Sequence, residues 1–184
     1  FNEVLNFSRE NEILIEEYYS SDEITVSGWV RNSELKLLTV TDRIRFEEDI
    51  HIGICSSHLF PSKHLYNYSE KIKKLSEEIV NDFKIENGPI YFQFLIGDQG
   101  IKVNEIACRK RNNYEGEYMA PLTGVDILKL MIQLSAGQKI DYKNLKKYSL
   151  KKNSTHLSSQ LFFAAPGKIE KITSIRKIKE LPGV

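Results

Sequence analysis

The sequence predicts an α+β fold in which a mostly antiparallel sheet is covered on one face by helices, and three observations support this class. Residues 88–109 alternate apolar and other side chains on both sides of a short glycine-containing turn, the pattern of a β-hairpin. Residues 24–30 and 35–40 alternate in the same way around a polar turn, which predicts a second antiparallel pair. Residues 67–84 and 125–136 carry apolar side chains at helical spacing and are predicted to cover the sheet.

The turn of the first hairpin is predicted at residues 98–100, Asp-Gln-Gly. A three-residue hairpin loop needs a left-handed residue at its end, and its final glycine adopts that conformation without steric cost. With this loop, Gly97 opposes Ile101 and Leu95 opposes Val103. Side chains that oppose each other across an antiparallel pair lie about 4.5–5.5 Å apart at Cβ, so the loop determines which side chains meet.

The same register predicts that Gln93 lies opposite Glu105. Ala107 and Arg109 follow on the face of Glu105, because face membership repeats every second residue along a strand. An amide oxygen and one carboxylate are too few ligands for Mg²⁺ unless water and phosphate oxygens complete the octahedron, as they usually do for nucleotide-bound Mg²⁺. A Gln–Glu pair on a solvated face is the alternative, and the hairpin alone leaves both open.

Composition predicts a globular protein with a sizeable core. The chain has 184 residues, of which 41% are hydrophobic and 28% charged. A formal net charge of +1 argues against nucleic acid or an anionic membrane as a partner. Two cysteines, Cys55 and Cys108, do not make a disulfide framework, which favours a reduced, cytoplasmic setting. The start at Phe1 rather than Met leads us to expect a piece of a longer protein.

Two polar regions carry no predicted chemistry. Residues 43–65 are interpreted as loop-rich, and their histidines, His51, His58 and His64, lack metal-ligand spacing and are expected in loops or on the surface. Residues 139–155, KIDYKNLKKYSLKKNST, are lysine-rich. They are interpreted as a solvated connector and not as a nucleic-acid patch, because their lysines follow no single face.

Four segments in order resemble the ATP-grasp superfamily, in the C-terminal part of its ATP-binding domain. The hairpin, with Gln93 and the ending Glu105–Arg109 (Glu-x-Ala-x-Arg), is similar to the metal-binding hairpin whose usual ending is Glu-x-Asn-x-Arg. Residues 13–28, ILIEEYYSSDEITVSG, resemble the adenine-hinge signature. Residues 122–138 resemble the helix after the catalytic arginine, and residues 162–172 resemble the C-terminal strands. The glutamine is closer to the carbamoyl-phosphate synthetase large chain than to biotin carboxylase.

The resemblance implies a nucleotide site. Glu16, Glu17, Tyr18 and Tyr19 would pass the adenine edge, with backbone groups that mimic base pairing. Glu23 would accept hydrogen bonds from the ribose hydroxyls, a task that suits a carboxylate because it accepts and does not donate. The alternative for this segment is an edge strand with acidic residues facing outward.

The resemblance also implies the groups that handle the phosphates. Gln93 and Glu105 would hold Mg²⁺ (or Mn²⁺) on the nucleotide. Arg109 would stabilise the charge of the transferring phosphoryl group or of the tetrahedral adduct, with Arg111 as a weaker candidate. Arg43 would face the triphosphate or an acyl phosphate, and an ion pair with a neighbouring acid is its alternative.

Two residues depart from the family pattern. Ala107 stands where the family has an asparagine that contacts a second metal or the phosphates, and alanine has no ligand atom. Ser21 stands where the family has the glycine before the ribose glutamate. The first departure weakens the prediction of a two-metal site.

The function implied is that of the ATP-binding half of an ATP-dependent ligase that joins a small carboxylate to an amine or another nucleophile, such as a thiol, through an acyl phosphate. Residues 1–138 would bind nucleotide and metal, 139–155 would connect, and 156–184 would supply C-terminal strands and a short helix of one domain. The family's glycine-rich loop and phosphate-binding lysines do not occur here, so we expect no turnover from this chain alone. A homodimer is left open, as are a degenerate ATP-grasp module with a regulatory role and an unrelated α+β domain.

Overall fold

The computed structural model describes residues 2–46, 54–110, 115–163 and 166–182. Its strands are β1 Asp22–Arg31, β2 Glu34–Arg45, β3 Cys55–Phe60, β4 Asn87–Gly97, β5 Gly100–Ala107 and β6 Leu157–Gln160. Its helices are α1 Asn2–Leu5, α2 Leu65–Asp82, α3 Glu115–Thr123, α4 Ile127–Ser135, α5 Lys143–Lys147 and α6 Ile175–Ile178, with a 3₁₀ turn at Leu150–Lys152. Within the ranges described, no helix combines the length and apolar character needed to cross a membrane.

The strands form one sheet in the order β5-β4-β1-β2-β3-β6, and every neighbouring pair is antiparallel. This confirms the predicted class. Asn32 and Ser33, both with positive φ, make the tight turn between β1 and β2, as a primed hairpin turn requires. The two predicted hairpins therefore lie side by side, with β4 of one paired to β1 of the other.

The helices cover both faces of the sheet, so the prediction of a single covered face was wrong. Val26 and Val30 of β1 pack in one core with Ile72 of α2. Trp29, their neighbour on the opposite face, packs in a second core with Leu130 of α4. Successive residues of a strand point to opposite faces, so α2 and α4 lie on opposite sides of β1.

The boundaries of α2 differ from the prediction. The helix begins at Leu65 after His64, two residues before the predicted start. It ends at Asp82, and Lys84 at φ +52° reverses the chain before β4. Asn87 and Gly88 then open that strand.

The second predicted helical region, 125–136, corresponds to α4, and Gly124, which has φ +72°, separates it from the preceding helix α3. Thr123 Oγ1 accepts from Val125 N at 3.0 Å, and Asp126 Oδ1 accepts from Lys129 N at 2.9 Å. Asp126 is therefore the side chain that caps α4. Gly137, at φ +62°, follows the end of α4, close to the predicted end of the region at residue 136.

Several loop predictions need correction. Residues 43–65 contain β3, and His58 on that strand is buried, not at the surface. Residues 12–19 begin with a strand-like pattern but form no regular strand, and neither do residues 169–172. The lysine-rich segment 139–155 contains α5, whose Leu145 is buried in the second core. His51 lies outside the described residues.

Candidate functional site

The tip of the β4–β5 hairpin is tighter than predicted. Gly97 pairs with Gly100, and Leu95 pairs with Lys102, so the loop has two residues, 98–99, and not three. Gly100 has φ +95°, so the glycine is used for its backbone freedom as the sequence indicates. A two-residue loop alone would move every later pair out of the predicted register.

A β-bulge restores the predicted pairing. Phe94 pairs with Val103, while Gln93 pairs with Glu105, so Asn104 is the extra residue on β5. The amide and the carboxylate therefore stand opposite each other, which confirms the register prediction at this pair. The shorter loop and the bulge cancel, because each shifts the register by one residue in opposite directions.

One face of the sheet beside this pair is built from buried polar side chains. Glu23 and Gln93 each expose only 8% of their surface. The other buried polar residues of this face, on β1, β2 and β3, are Thr25, Ser27, Thr39, Thr41 and His58. Buried polar groups cost free energy unless they are hydrogen-bonded, so such a face calls for partners within the protein or from a ligand.

Glu23 is the centre of the hydrogen bonds on this face. Its Oε2 accepts from Arg43 Nη1 and, at 3.1 Å, from Gln93 Nε2. Its Oε1 forms an ion pair with Arg45 Nη1 at 3.1 Å. The Gln93 amide oxygen in turn accepts from the Tyr91 hydroxyl at 3.3 Å. The structure thus brings together three residues predicted from the sequence, and in doing so uses both Glu23 oxygens.

Arg45 was missed by the sequence reasoning. It follows Arg43 by two residues on β2, which is the spacing that keeps side chains on one strand face. That spacing was the signal that could have identified it. Its other guanidinium nitrogen, Nη2, donates to the Ser21 carbonyl at 3.3 Å, so it links Glu23 to the segment before β1.

The segment before β1 is bound to the hairpin tip through Tyr19. The Tyr19 hydroxyl donates to the Gly100 carbonyl at 2.9 Å and accepts from Gln99 N at 3.1 Å. Lys102 Nζ lies 4.2 Å from the centre of the Tyr19 ring and 3.8 Å from a Glu17 oxygen. Two of the predicted adenine-contact residues are therefore held against the hairpin.

Their neighbours Glu16 and Tyr18 are exposed, with 82% of Tyr18 open to solvent. The segment lies against the tip of the hairpin whose second strand carries Glu105. The segment needs no regular strand to lie there, because side-chain contacts, and not backbone hydrogen bonds between paired strands, hold it in place.

We expect Gly97→Ala to displace this segment. A Cβ at Gly97 would lie 2.6 Å from the Ser20 carbonyl oxygen and 2.7 Å from the Tyr19 ring, which is closer than packing allows. The segment should detach and become cleavable after the tyrosines under limited proteolysis. Gly116→Ala is the control, since its Cβ would meet nothing closer than 4.0 Å, and unchanged cleavage in Gly97→Ala would contradict the contact.

Arg109 lies beside Glu105 as predicted. Its Nη2 is 3.5 Å from a Glu105 oxygen, and both side chains are about half exposed. Ala107 pairs with Tyr91 across the hairpin and contributes no ligand atom. Arg111 lies outside the described residues.

A second charged group lies at the start of β1. The Lys63 ammonium, 2.8 Å from Asp22 Oδ2, lowers the pKa of Asp22 below 3.8, and His64 Nε2 is also 2.8 Å away. The carboxylate raises the pKa of Lys63 above 10.5 in return. These pairs tie β1 to the start of α2.

The donor set fits Mg²⁺ only as an ion that a nucleotide brings with it. In the described ranges, no three His, Cys, Asp or Glu side chains gather into a metal-binding group. Glu105 presents a half-exposed carboxylate, while the Gln93 oxygen is engaged by Tyr91. One carboxylate and one amide suit an ion whose remaining ligands are water and phosphate oxygens.

A cavity of about 710 Å³ lies on the other face of the sheet, between β2, α2 and the 3₁₀ turn. Leu37, Leu65 and Ile72 line it. It has no contact with the face of Glu23 and Glu105, so it is separate from the candidate site.

The sequence itself matches no protein-family model and no curated protein. The fold, in contrast, matches solved structures. The L-amino acid ligase from Bacillus licheniformis superposes with a TM-score of 0.70 over 89% of this chain and 41% of that protein, at 14% identity. Phosphoribosylglycinamide synthetase from Anaerococcus prevotii superposes with a TM-score of 0.66 over 86% of this chain and 39% of that protein, also at 14% identity. The biotin carboxylase of Campylobacter jejuni, solved as a beta-gamma-ATP complex, gives 0.55 over 68% and 28%, at 15% identity.

These neighbours are ATP-grasp proteins, and the chain has the fold of part of an ATP-grasp domain. This confirms the resemblance read from the sequence at the level of the fold. The chain spans about two fifths of the length of the first two neighbours.

Proposed function

We propose that this chain is the ATP- and Mg²⁺-binding portion of an ATP-dependent ligase that joins a carboxylate to an amine, or to another nucleophile such as a thiol, through an acyl phosphate. The observation that carries the proposal is the pairing of Gln93 and Glu105 beside the Glu23–Arg43 contact, on one sheet face of an ATP-grasp fold. An N5-carboxyaminoimidazole synthetase from Staphylococcus aureus, complexed with ADP, shares this fold at a TM-score of 0.54 and 18% identity.

The phosphate end of the site would use four side chains. Glu105 and, after its amide turns, Gln93 would hold the nucleotide's Mg²⁺ (or Mn²⁺), which when bound neutralises charge on the phosphates. Arg109 would stabilise charge on the transferring group. Its side chain is about half exposed beside Glu105, so its guanidinium can reach a phosphate or an acyl oxygen bound there. Arg43 would contact the phosphates from the floor of the site.

The nucleoside end would lie between the hinge and the sheet. Glu16, Glu17 and Tyr18 would flank the adenine through backbone groups, and Glu23 would take the sugar. Tyr19 would act indirectly, because its hydroxyl is used by the hairpin tip. Its contacts would hold the hinge at a constant distance from the metal-binding pair.

The acid and the amine or other nucleophile would bind outside the site described above. The rest of the ATP-grasp fold would belong to other parts of a longer, cytoplasmic protein. Residues 1–138 would form the nucleotide and metal part, 139–155 a connector and 156–184 the C-terminal segment. The chain alone should release no ADP from ATP and Mg²⁺ with a panel of carboxylates and amines, and steady ADP release would contradict this.

A degenerate ATP-grasp module with a regulatory or interaction role is the second candidate. Ala107 favours it, since alanine replaces the asparagine of the resembling family. Such a module would bind nucleotide weakly or not at all, and Mg²⁺ would make no difference.

We expect Glu105→Ala in the full-length protein to weaken Mg²⁺-dependent ATP binding by tenfold or more, while binding measured with EDTA changes little. The reason is that Glu105 is the carboxylate of the proposed Mg²⁺ site. Isothermal titration with and without Mg²⁺ measures both affinities. Glu77→Ala is the matched control, because Glu77 is 42% exposed in a 3.7 Å pair with Lys73, as Glu105 is 47% exposed in a 3.5 Å pair.

Equal Mg²⁺ dependence in the Glu105 variant and the wild type would remove Glu105 from the metal site. Absence of ATP binding by the wild type would favour the degenerate module. These two outcomes separate the assignment of one residue from the function of the whole chain.

A further inference from the structure

A further cavity lies on the same face of the sheet as Glu23, near the opposite end of β1. It has a volume of about 280 Å³ and is enclosed by the end of the β1–β2 hairpin, by Tyr142 and by α5. Trp29, which forms part of its wall, follows Glu23 by six residues along β1, or roughly 20 Å at about 3.3 Å per strand residue. The cavity is therefore separate from the candidate nucleotide site.

The wall of this cavity is cationic. Arg31, Lys36 and Lys146 line it, and Glu34 is the only carboxylate among its described lining residues. Three positive charges and one negative charge give the wall a net charge of +2. In the part of the chain that the structure describes, none of the three cations forms an ion pair with a carboxylate. The cavity therefore favours an anionic ligand.

Two of these cations are directed by the fold. The Arg31 guanidinium lies over the Tyr142 ring, 4.5 Å from its centre. Stacking on an aromatic ring uses the flat face of a guanidinium and leaves the N–H groups at its edge for an acceptor with two oxygens. Lys36 pairs with Trp29 across β1 and β2, so both side chains point to the face on which the cavity lies.

The indole N–H of Trp29 is a further donor at this cavity. Trp29 is completely buried, and its Nε1 has no hydrogen-bond partner among the described residues. A buried donor without an acceptor costs free energy, so each one in a native structure calls for an explanation. Its position in a wall with three cations indicates an acceptor that comes from outside the protein.

We propose that this cavity binds the phosphate group of a small phosphate monoester. Such a group carries a charge of about −1.5 to −2 at neutral pH and three acceptor oxygens, which matches the net charge of the wall and its donors. The volume lies just below the range of drug-sized ligand sites, about 300–1,000 Å³, which favours a small molecule. The inference does not rest on the proposed function, because none of these residues belongs to the nucleotide site.

The test uses Trp29 as a reporter, because it is the only tryptophan of the chain. The ¹⁵N-labelled protein is titrated with inorganic phosphate and with glycerol 3-phosphate, and the indole cross-peak of Trp29 is identified by its absence in Trp29→Phe. We expect both to shift the indole proton downfield in a saturable way, with tighter binding of the ester. A sodium chloride titration over the same ionic strength should not produce this shift.

Three outcomes would contradict the proposal. An unmoved indole peak, or an equal shift with sodium chloride, would show that no phosphate binds in this cavity. Tighter binding of inorganic phosphate than of glycerol 3-phosphate would overturn the assignment to an ester.

Lysine variants test the wall directly. Lys36→Met and Lys146→Met should each weaken binding of glycerol 3-phosphate about tenfold, as expected for the loss of a hydrogen bond between charged groups. Lys146 is exposed on α5, so its variant keeps the test decisive if the change at half-buried Lys36 disturbs folding. Lys143→Met is the matched control, because Lys143 carries the same charge on the same helix without lining the cavity. Equal weakening in this control would indicate general electrostatic attraction and overturn the site.

Arg109→Met separates this cavity from the nucleotide site. Inorganic phosphate is also expected near Arg109 if that residue contacts the phosphates of a nucleotide. The Trp29 shift and its affinity should be unchanged in Arg109→Met, and their loss would overturn the inference. Failure of the wild type to bind ATP would instead overturn the proposed function and leave this site standing.

Discussion

Trp29→Ala is expected to lower the free energy of unfolding by about 3–5 kcal/mol, the range for truncating a large buried aromatic side chain. Trp29 is completely buried, and it is the part of β1 that contacts the second core. Its ring packs among Leu38, Met119 and Leu130, which belong to β2, α3 and α4. A cavity there would loosen both helices from the sheet.

Trp29→Phe is the matched variant. In the described part of the chain, the Trp29 indole N–H has no hydrogen-bond partner. Phenylalanine therefore loses volume but no hydrogen bond, and we expect less than half the destabilisation of the alanine variant. Urea unfolding followed by far-ultraviolet circular dichroism measures both, since each change removes the only tryptophan. Equal losses would show that the ring edge, and not its bulk, stabilises the core.

Glu23→Ala is expected to destabilise the fold by about 3 kcal/mol, in addition to its effect on nucleotide binding. Glu23 and Arg43 expose only 8% and 12% of their side chains, so the change removes the Glu23 carboxylate from beside a nearly buried guanidinium. The Gln93 amide would lose its acceptor at the same time. Removing one member of a buried ion pair costs more than removing both, because the remaining charge loses the opposite charge that offset its burial.

A double-mutant cycle tests this explanation. Arg43→Met in the Glu23→Ala background should restore part of the lost stability, as measured by urea unfolding. Glu34→Ala, which removes an exposed glutamate at the start of β2, should change stability by less than about 0.5 kcal/mol. If the double variant is less stable than either single variant, the pair is not held together by charge compensation.

The hairpin shows how far local pattern can predict a site. The alternation of 88–109 predicted both strands and the meeting of Gln93 and Glu105, and the structure has both. The loop length was wrong by one residue, and a bulge at Asn104 corrected the register. The extra residue shifts the alternation of β5 by one position, so that Ile101 and Ile106, five residues apart, both pack against the first core.

The faces of the sheet were harder to predict. The periodicity of residues 67–84 and 125–136 predicted two amphipathic helices, but it does not say against which face each helix packs. The face on which a helix packs depends on the strand residues that point to that face. Here Val30 points to the face of α2 and Trp29 to the face of α4. β3 was missed because its sequence, CSSHLF, places polar residues where a core strand would have apolar ones.

The sequence by itself determined the antiparallel class, the main hairpins, the position of the two long helical regions and the pairing of an amide with a carboxylate. These depend on alternation and on turn residues, which are local properties of the chain. Only the tertiary structure decided that the helices lie on both faces and that the Tyr19 hydroxyl donates to the hairpin tip. It also decided that Arg45, Arg43 and Gln93 all contact the Glu23 carboxylate. These depend on which distant strands become neighbours, and hydrogen bonds between side chains on different strands leave no periodic trace in the sequence.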